Sequence, residues 1–93
     1  MTEHADFLVY PVIVSKFTDD GEYFVVTSPN IPGMVTQGDS FVEAVYWAQD
    51  AIATMLEGRD YPEAVDPTSW VLDDNQNLAF VSIDMNTWLA NKA

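Results

Sequence analysis

Cysteine is absent from this chain and basic residues are nearly so: Lys16, Arg59 and Lys92 stand against 15 acids, for a net charge of −12 over 93 residues. The first absence excludes disulfides and thiolate metal sites, and it leaves the redox compartment unmarked. The second selects the class of partner, because a surface so anionic repels nucleic acid and acidic membrane and attracts basic proteins. Histidine occurs once, as His4 in the polar leader, so no catalytic triad can be assembled around it. The glycines at 21, 33, 38 and 58 are scattered with no lysine beside them, which excludes a phosphate-binding loop. Long apolar runs are lacking too. Phe7 to Val14 is the longest and is far too short for a bilayer, and Met1 to Asp6 is acidic where a secretory signal would be positive. A soluble cytoplasmic protein is expected, with no cofactor, no metal and no membrane contact.

Nearly half of the residues are apolar, enough for one core and one domain over residues 1–93, with 1–6 a flexible leader. Phe7 to Phe17 is dense in Val, Ile and aromatics and predicts a strand, in which Pro11 is tolerable only at an edge or bulge. Alternation puts Phe7, Val9 and Ile13 on one side and Leu8, Tyr10, Val12 and Val14 on the other, so both faces are apolar. One long helix can cover only one of them. The other needs a partner or a second copy, and a homo-oligomer, dimer or tetramer, is expected on that ground. Asp20-Gly21 predicts a hairpin into a second strand, Tyr23 to Thr27. A helix over Phe41 to Glu57 follows from apolar residues at 41, 44, 45, 48, 52, 55 and 56, with alanines at 44, 48 and 51 for close approach and Gly58 as its stop. Glu43, Asp50 and Glu57 make its outer face anionic, and Tyr46 and Trp47 flank the buried stripe, either as covers for the core edges or as part of an interface. Residues 59 to 77 show no periodic element, and Tyr61 and Trp70 are expected to pin this path to the surface. Asp73 to Asn77 reads as a polar turn, Leu78 to Asp84 as a half-buried strand, and Asp84 or Asn86 as the cap of a short last helix carrying Trp88 and Leu89.

The sharpest local punctuation runs from Pro29 to Ala51. Pro29, Pro32 and Gly33 mark a fixed turn, a short strand follows over Met34 to Gln37, and Gly38 and Asp39 break it. Ser40 and Glu43 then have capping-box spacing, each side chain taking an orphaned backbone N–H at the helix start. This stretch resembles the signature of the HicB antitoxin family, whose members neutralise small HicA ribonuclease toxins. The matching residues are Pro29, Ile31, Pro32, Gly33, Thr36, Gln37, Gly38, Asp39, Ser40, Glu43, Ala44, Ala48 and Ala51, with weaker likeness at Tyr10-Pro11 and from Ala79 to Asp84. The resemblance implies an α+β fold: a three-stranded antiparallel sheet plus a fourth strand, backed by one long helix, in the order β-β-β-α-β-α, a partial ribonuclease H-like architecture. Full-length members usually append a DNA-binding helix-turn-helix or ribbon-helix-helix, for which these 93 residues have no room, so no direct nucleic-acid binding is expected.

Three functions follow from these features. The first is an antitoxin, whose partner by resemblance is a small basic ribonuclease held through its RNA-binding surface. Candidate contact residues are Asp19, Asp20 and Glu22 at the hairpin and Tyr46, Trp47 and Asp50 on and beside the outer face of the helix. Pro29, Pro32, Gly33, Gly38, Asp39, Ser40 and Glu43 have structural roles as turn and cap residues. The second is an oligomeric scaffold or ligand-binding module of the same fold with no toxin partner. The third, a metal-dependent nuclease, needs acids converging from neighbouring strands, and only Glu22 and Asp84 stand at strand ends. No enzyme activity is expected.

Overall fold

A computed structural model describes residues 7–92; the leader and His4 lie outside the described residues. The elements are β1 (Phe7–Phe17), β2 (Tyr23–Thr27), β3 (Val35–Gly38), α1 (Phe41–Leu56), β4 (Gln76–Asp84) and α2 (Met85–Lys92), with a short 3-10 turn at Pro67–Ser69. The strands form one antiparallel sheet in the order β3-β2-β1-β4. This is the expected α+β arrangement.

Register explains which side of β1 meets the helix. Tyr10, Val12 and Val14 are buried with Val26, Val81 and Ile83 from the neighbouring strands and Ala44, Ala48, Ile52 and Ala53 from α1. Ala53 lies beside the predicted stripe, and its small side chain lets the helix bury a wider face than the pattern of large apolar residues showed. The other side of β1 is left open, with Phe7 and Val9 exposed.

Pro11 sits inside a strand that is central in the sheet, against the expectation of an edge or bulge. The register supplies the reason: β2 pairs with β1 only from Ile13 onward, so on that side the strand is a local edge at Pro11. Its carbonyl accepts from the Ser28 hydroxyl at 3.1 Å and from Asn30 Nδ2 at 3.2 Å.

Element ends differ from the sequence reading by a residue or two. The third strand runs one residue later than expected, and Gly38 ends it instead of breaking it, because Gly38 pairs with Phe24. Met34 is instead a buried plug in the core. The fourth strand starts at Gln76 because β1 is long enough to pair with it through Ser15. At the helix start, Ser40 Oγ accepts from Glu43 N at 3.1 Å as expected, but the Glu43 carboxylate reaches back to Asp39 N at 2.7 Å, one residue beyond the predicted Ser40. The helix ends at Leu56, with Gly58 at φ +75° turning the chain away. Asp84 caps α2 by accepting from Thr87 N at 3.2 Å.

The segment after α1 is tied down mainly by polar contacts. Tyr61 packs against the core, but the defined ties are the Tyr10 hydroxyl donating to the Pro62 carbonyl at 2.6 Å and Val65 N donating to Asn30 Oδ1. Burial, with the neighbouring Tyr61 as a second cause, raises the Tyr10 hydroxyl above its ordinary value of 10.0. The folded state therefore holds that proton more tightly than the unfolded chain. The linked stability is complete below the unfolded value and is lost as pH rises through the raised folded one. Tyr10→Phe should cost about 1 kcal/mol at neutral pH. In thermal unfolding across an alkaline series, the gap between wild type and variant should close as that proton is lost.

Candidate protein-binding site

A concave region rimmed by both aromatics and acids lies where α1, the free edge of β4 and the start of α2 meet. A cleft of about 370 Å³ there is lined by Tyr46, Gln49, Ile83, Asp84, Thr87 and Trp88. Shallower hollows continue it toward Trp47 and Asp50 on one side and toward Val42 and Phe80 on the other.

Helical spacing creates the α1 wall. Ala44 and Ala48 point into the core, so Tyr46, Trp47, Gln49 and Asp50 are turned outward. Tyr46 and Trp47 touch edge to face, with ring centroids 5.1 Å apart, and both are exposed, so neither covers the core edge. Gln49 donates from Nε2 to the Ser82 carbonyl at 2.7 Å, which occupies one acceptor of the open β4 edge and holds the helix beside it. Trp88 Nε1 donates to Asp50 Oδ1 at 3.0 Å, fixing the carboxylate and the indole together on the rim. Rigid aromatic faces beside a fixed carboxylate suit the aliphatic stem and charged head of a lysine or arginine, through cation–π attraction of about 0.5 to 2 kcal/mol.

Of the residues singled out in the sequence, Tyr46, Trp47 and Asp50 come together here. Asp19, Asp20 and Glu22 do not. They are exposed in the β1–β2 connection, beyond Phe17, whereas Gln49 docks at Ser82, which pairs with Val9. Eight residues of β1 separate those levels, roughly 26 Å of extended chain. The hairpin acids have local partners: Glu22 lies 3.8 Å from Lys16 Nζ, an exposed pair of little energetic weight, and Asp19 and Asp20 beside Tyr23 add to the rise in its hydroxyl pKa, which slight desolvation leads. Glu22 and Asp84 lie near opposite ends of the sheet and cannot share an ion pair of metals about 4 Å apart.

Trp88, Gln49 and Thr87 were not legible as site residues. Trp88 joins Asp50 across 38 positions of sequence, a relation that no local pattern carries.

The arrangement is similar to that of a chain in a toxin–antitoxin complex from Streptococcus pneumoniae, with a TM-score of 0.74 and 21% identity over 88% of this chain and 72% of that one. It is also similar to a chain of the HicA3 and HicB3 toxin–antitoxin complex, with a TM-score of 0.61 and 27% identity over 83% of this chain and 99% of that one. The fold thus defines a helix-backed α+β domain of the type found in such complexes. The family described as HicB-like antitoxin of bacterial toxin–antitoxin systems matches residues 10–91, and the chain belongs to that family. An uncharacterized 14.9 kDa protein from the rep-hol intergenic region of Haemophilus phage HP1 is 35% identical over 51 residues, 55% of this chain. The chain spans 36% of that relative's length. Among the described residues no helix is long and apolar enough to cross a membrane.

Proposed function

We propose that this chain is the antitoxin of a toxin–antitoxin pair in the cytoplasm and that it neutralises a small basic ribonuclease of the HicA kind by covering its RNA-binding surface. Membership in the HicB-like antitoxin family is the observation that carries this reading. The physical reason is charge. A ribonuclease that grips phosphates presents Lys and Arg, and a chain of net charge −12 competes for those groups while steering fast encounter. The α1–β4–α2 cleft is the docking surface best suited to this partner, with Tyr46, Trp47 and Trp88 as anchors and Asp50 and Asp84 as charges. The hairpin acids Asp19, Asp20 and Glu22 act at longer range on the encounter.

Mixing the purified chain with a HicA-type toxin should give a complex and abolish mRNA cleavage by the toxin. Its association rate should fall by about an order of magnitude or more as salt rises from low to physiological strength and above. Tyr46→Ala and Asp50→Ala should act chiefly on the dissociation rate, whereas neutralising the three hairpin acids should act chiefly on association. An undiminished cleavage rate at saturating concentrations of this chain sinks the reading. An association rate indifferent to salt removes electrostatic steering from it.

A further inference from the structure

Strand register decides which backbone groups of β4 are in use. Lys16 N donates to the Asn75 carbonyl at 2.8 Å, and these two residues stand one step beyond the Ser15–Gln76 pair, so they form a hydrogen-bonded pair of the antiparallel ladder. Bonding alternates along such a ladder. Asn77, Ala79, Val81 and Ile83 therefore turn their N–H and C=O groups toward β1, whereas Leu78, Phe80 and Ser82 turn theirs away from it. Two further observations agree: Phe80 stands opposite Pro11, which has no N–H to give, and the Ser82 carbonyl is met from outside the sheet by Gln49 Nε2 at 2.7 Å. No strand lies beyond β4, so among the described residues the outward groups of Leu78 and Phe80 have no partner. Strand edges are ordinarily blunted by shortness, by lysine or proline, or by a bulge. The opposite edge, β3, is only four residues long. β4 runs for nine residues with no lysine and no proline, and its register with β1 is unbroken.

We propose that an extended segment of the basic partner adds as a fifth strand to this edge, alongside Leu78 and Phe80; the inference takes its partner from the antitoxin reading. The edge opens into a hollow of about 340 Å³ whose lining includes Val42, Val45, Tyr46 and Phe80. Asp73 and Asp74 precede the edge and Asp84 ends it, with no lysine or arginine on the strand between. A segment with apolar side chains at its middle and lysine or arginine at its ends meets complementary chemistry throughout. Its main chain bonds to Leu78 and Phe80, alternate side chains enter the hollow beside Val42 and Tyr46, and its cations lie near the acids at either end. The same strand leads into the cleft at Ile83 and Asp84, so strand addition and side-chain anchoring belong to one interface. A second copy fits this edge worse. Two-fold antiparallel pairing centred on Phe80 sets each Asp84 beside the other copy's Gln76, next to its Asp73 and Asp74, and like charges so placed repel.

The test is amide hydrogen exchange, read residue by residue by NMR, on the free chain and on its complex with a HicA-type toxin. In the free chain Leu78 and Phe80 should exchange fast while Ala79 and Val81 exchange slowly, and in the complex Leu78 and Phe80 should slow by on the order of 100-fold. Proline substitution adds an affinity readout. Phe80→Pro deletes an N–H that β1 does not use, so circular dichroism should show the fold retained. Its Kd for the toxin should rise on the order of 10-fold or more beyond that of Phe80→Ala, which loses the ring but keeps the N–H. The exchange measurement needs no variant and decides alone if Phe80→Pro does not fold. A complex in which Leu78 and Phe80 exchange as fast as in the free chain overturns the proposal and leaves the antitoxin reading standing. A folded Phe80→Pro variant that binds like Phe80→Ala has the same meaning. Protection of these amides in the free chain that grows with its concentration assigns the edge to a second copy and also overturns the proposal. Failure to form any complex removes the antitoxin reading itself, and the proposal with it.

Discussion

Gly38→Ala is expected to lower the stability of the fold by about 3 kcal/mol, enough to take a large part of the roughly 5 to 15 kcal/mol typical of a domain. The cause is space. A Cβ at position 38 would lie 2.6 Å from Ala44 N, 2.9 Å from Ala44 Cα and 3.0 Å from the Glu43 carbonyl carbon. These are backbone atoms in the first turns of α1, so no side-chain rotation relieves the overlap. The helix must lift from the last residue of β3, and the burial of Ala44 and Ala48 loosens with it. Urea denaturation should show the midpoint falling by about 1 to 3 M with little change in slope. Gly21→Ala is the informative contrast. Gly21 has φ +84°, and a Cβ there would meet nothing within 4 Å, so its cost is conformational alone, about 1 kcal/mol. Equal losses at the two positions would remove the steric account of Gly38.

Asn30→Asp should cost a comparable amount, about 3 kcal/mol near neutral pH, although the two side chains are almost the same size. Asn30 is buried and joins three segments that are remote in sequence. Its Nδ2 donates to the Pro11 carbonyl at 3.2 Å and to Ser28 Oγ at 3.1 Å, and its Oδ1 accepts from Val65 N. The substitution keeps the acceptor for Val65 and removes both donations. It also places a carboxylate against the Pro11 carbonyl, where burial and the facing oxygen disfavour the ionised form. The introduced group is therefore protonated more readily in the folded than in the unfolded state. Its penalty is present at neutral pH and shrinks as pH falls through the carboxylate range. Thermal unfolding of wild type and variant in parallel from pH 7 to about pH 4 should show their separation narrowing; a constant separation would point to lost hydrogen bonds alone.

Gly38 and Asn30 also mark the boundary of what local sequence can reveal. Gly38 is visible as a motif residue, but as a strand breaker. Its actual role depends on Ala44 crossing over it, which is a fact of helix-on-strand packing and not of local propensity. Asn30 lies in the turn segment with no distinguishing feature, since its partners, Pro11 and Val65, are 19 and 35 residues away.

The element order, the hairpin at Asp20-Gly21, the cap at Ser40 and the buried helical stripe follow from the sequence alone. Each rests on period or local backbone chemistry: alternation in strands, a 3.6-residue repeat in α1, positive φ at Gly21, and a side-chain oxygen three residues from an orphaned N–H. The net charge of −12 is equally plain. Tertiary structure alone decided how the candidate site divides. It brought Tyr46, Trp47 and Asp50 to Trp88 and left the hairpin acids far along β1, because strand pairing sets distances that charge composition does not. It also decided that the even-numbered side of β1 faces α1. Both sides of that strand are apolar, so alternation is silent there, and only the shared register with β2 and β4 determines which side is buried and which is left open.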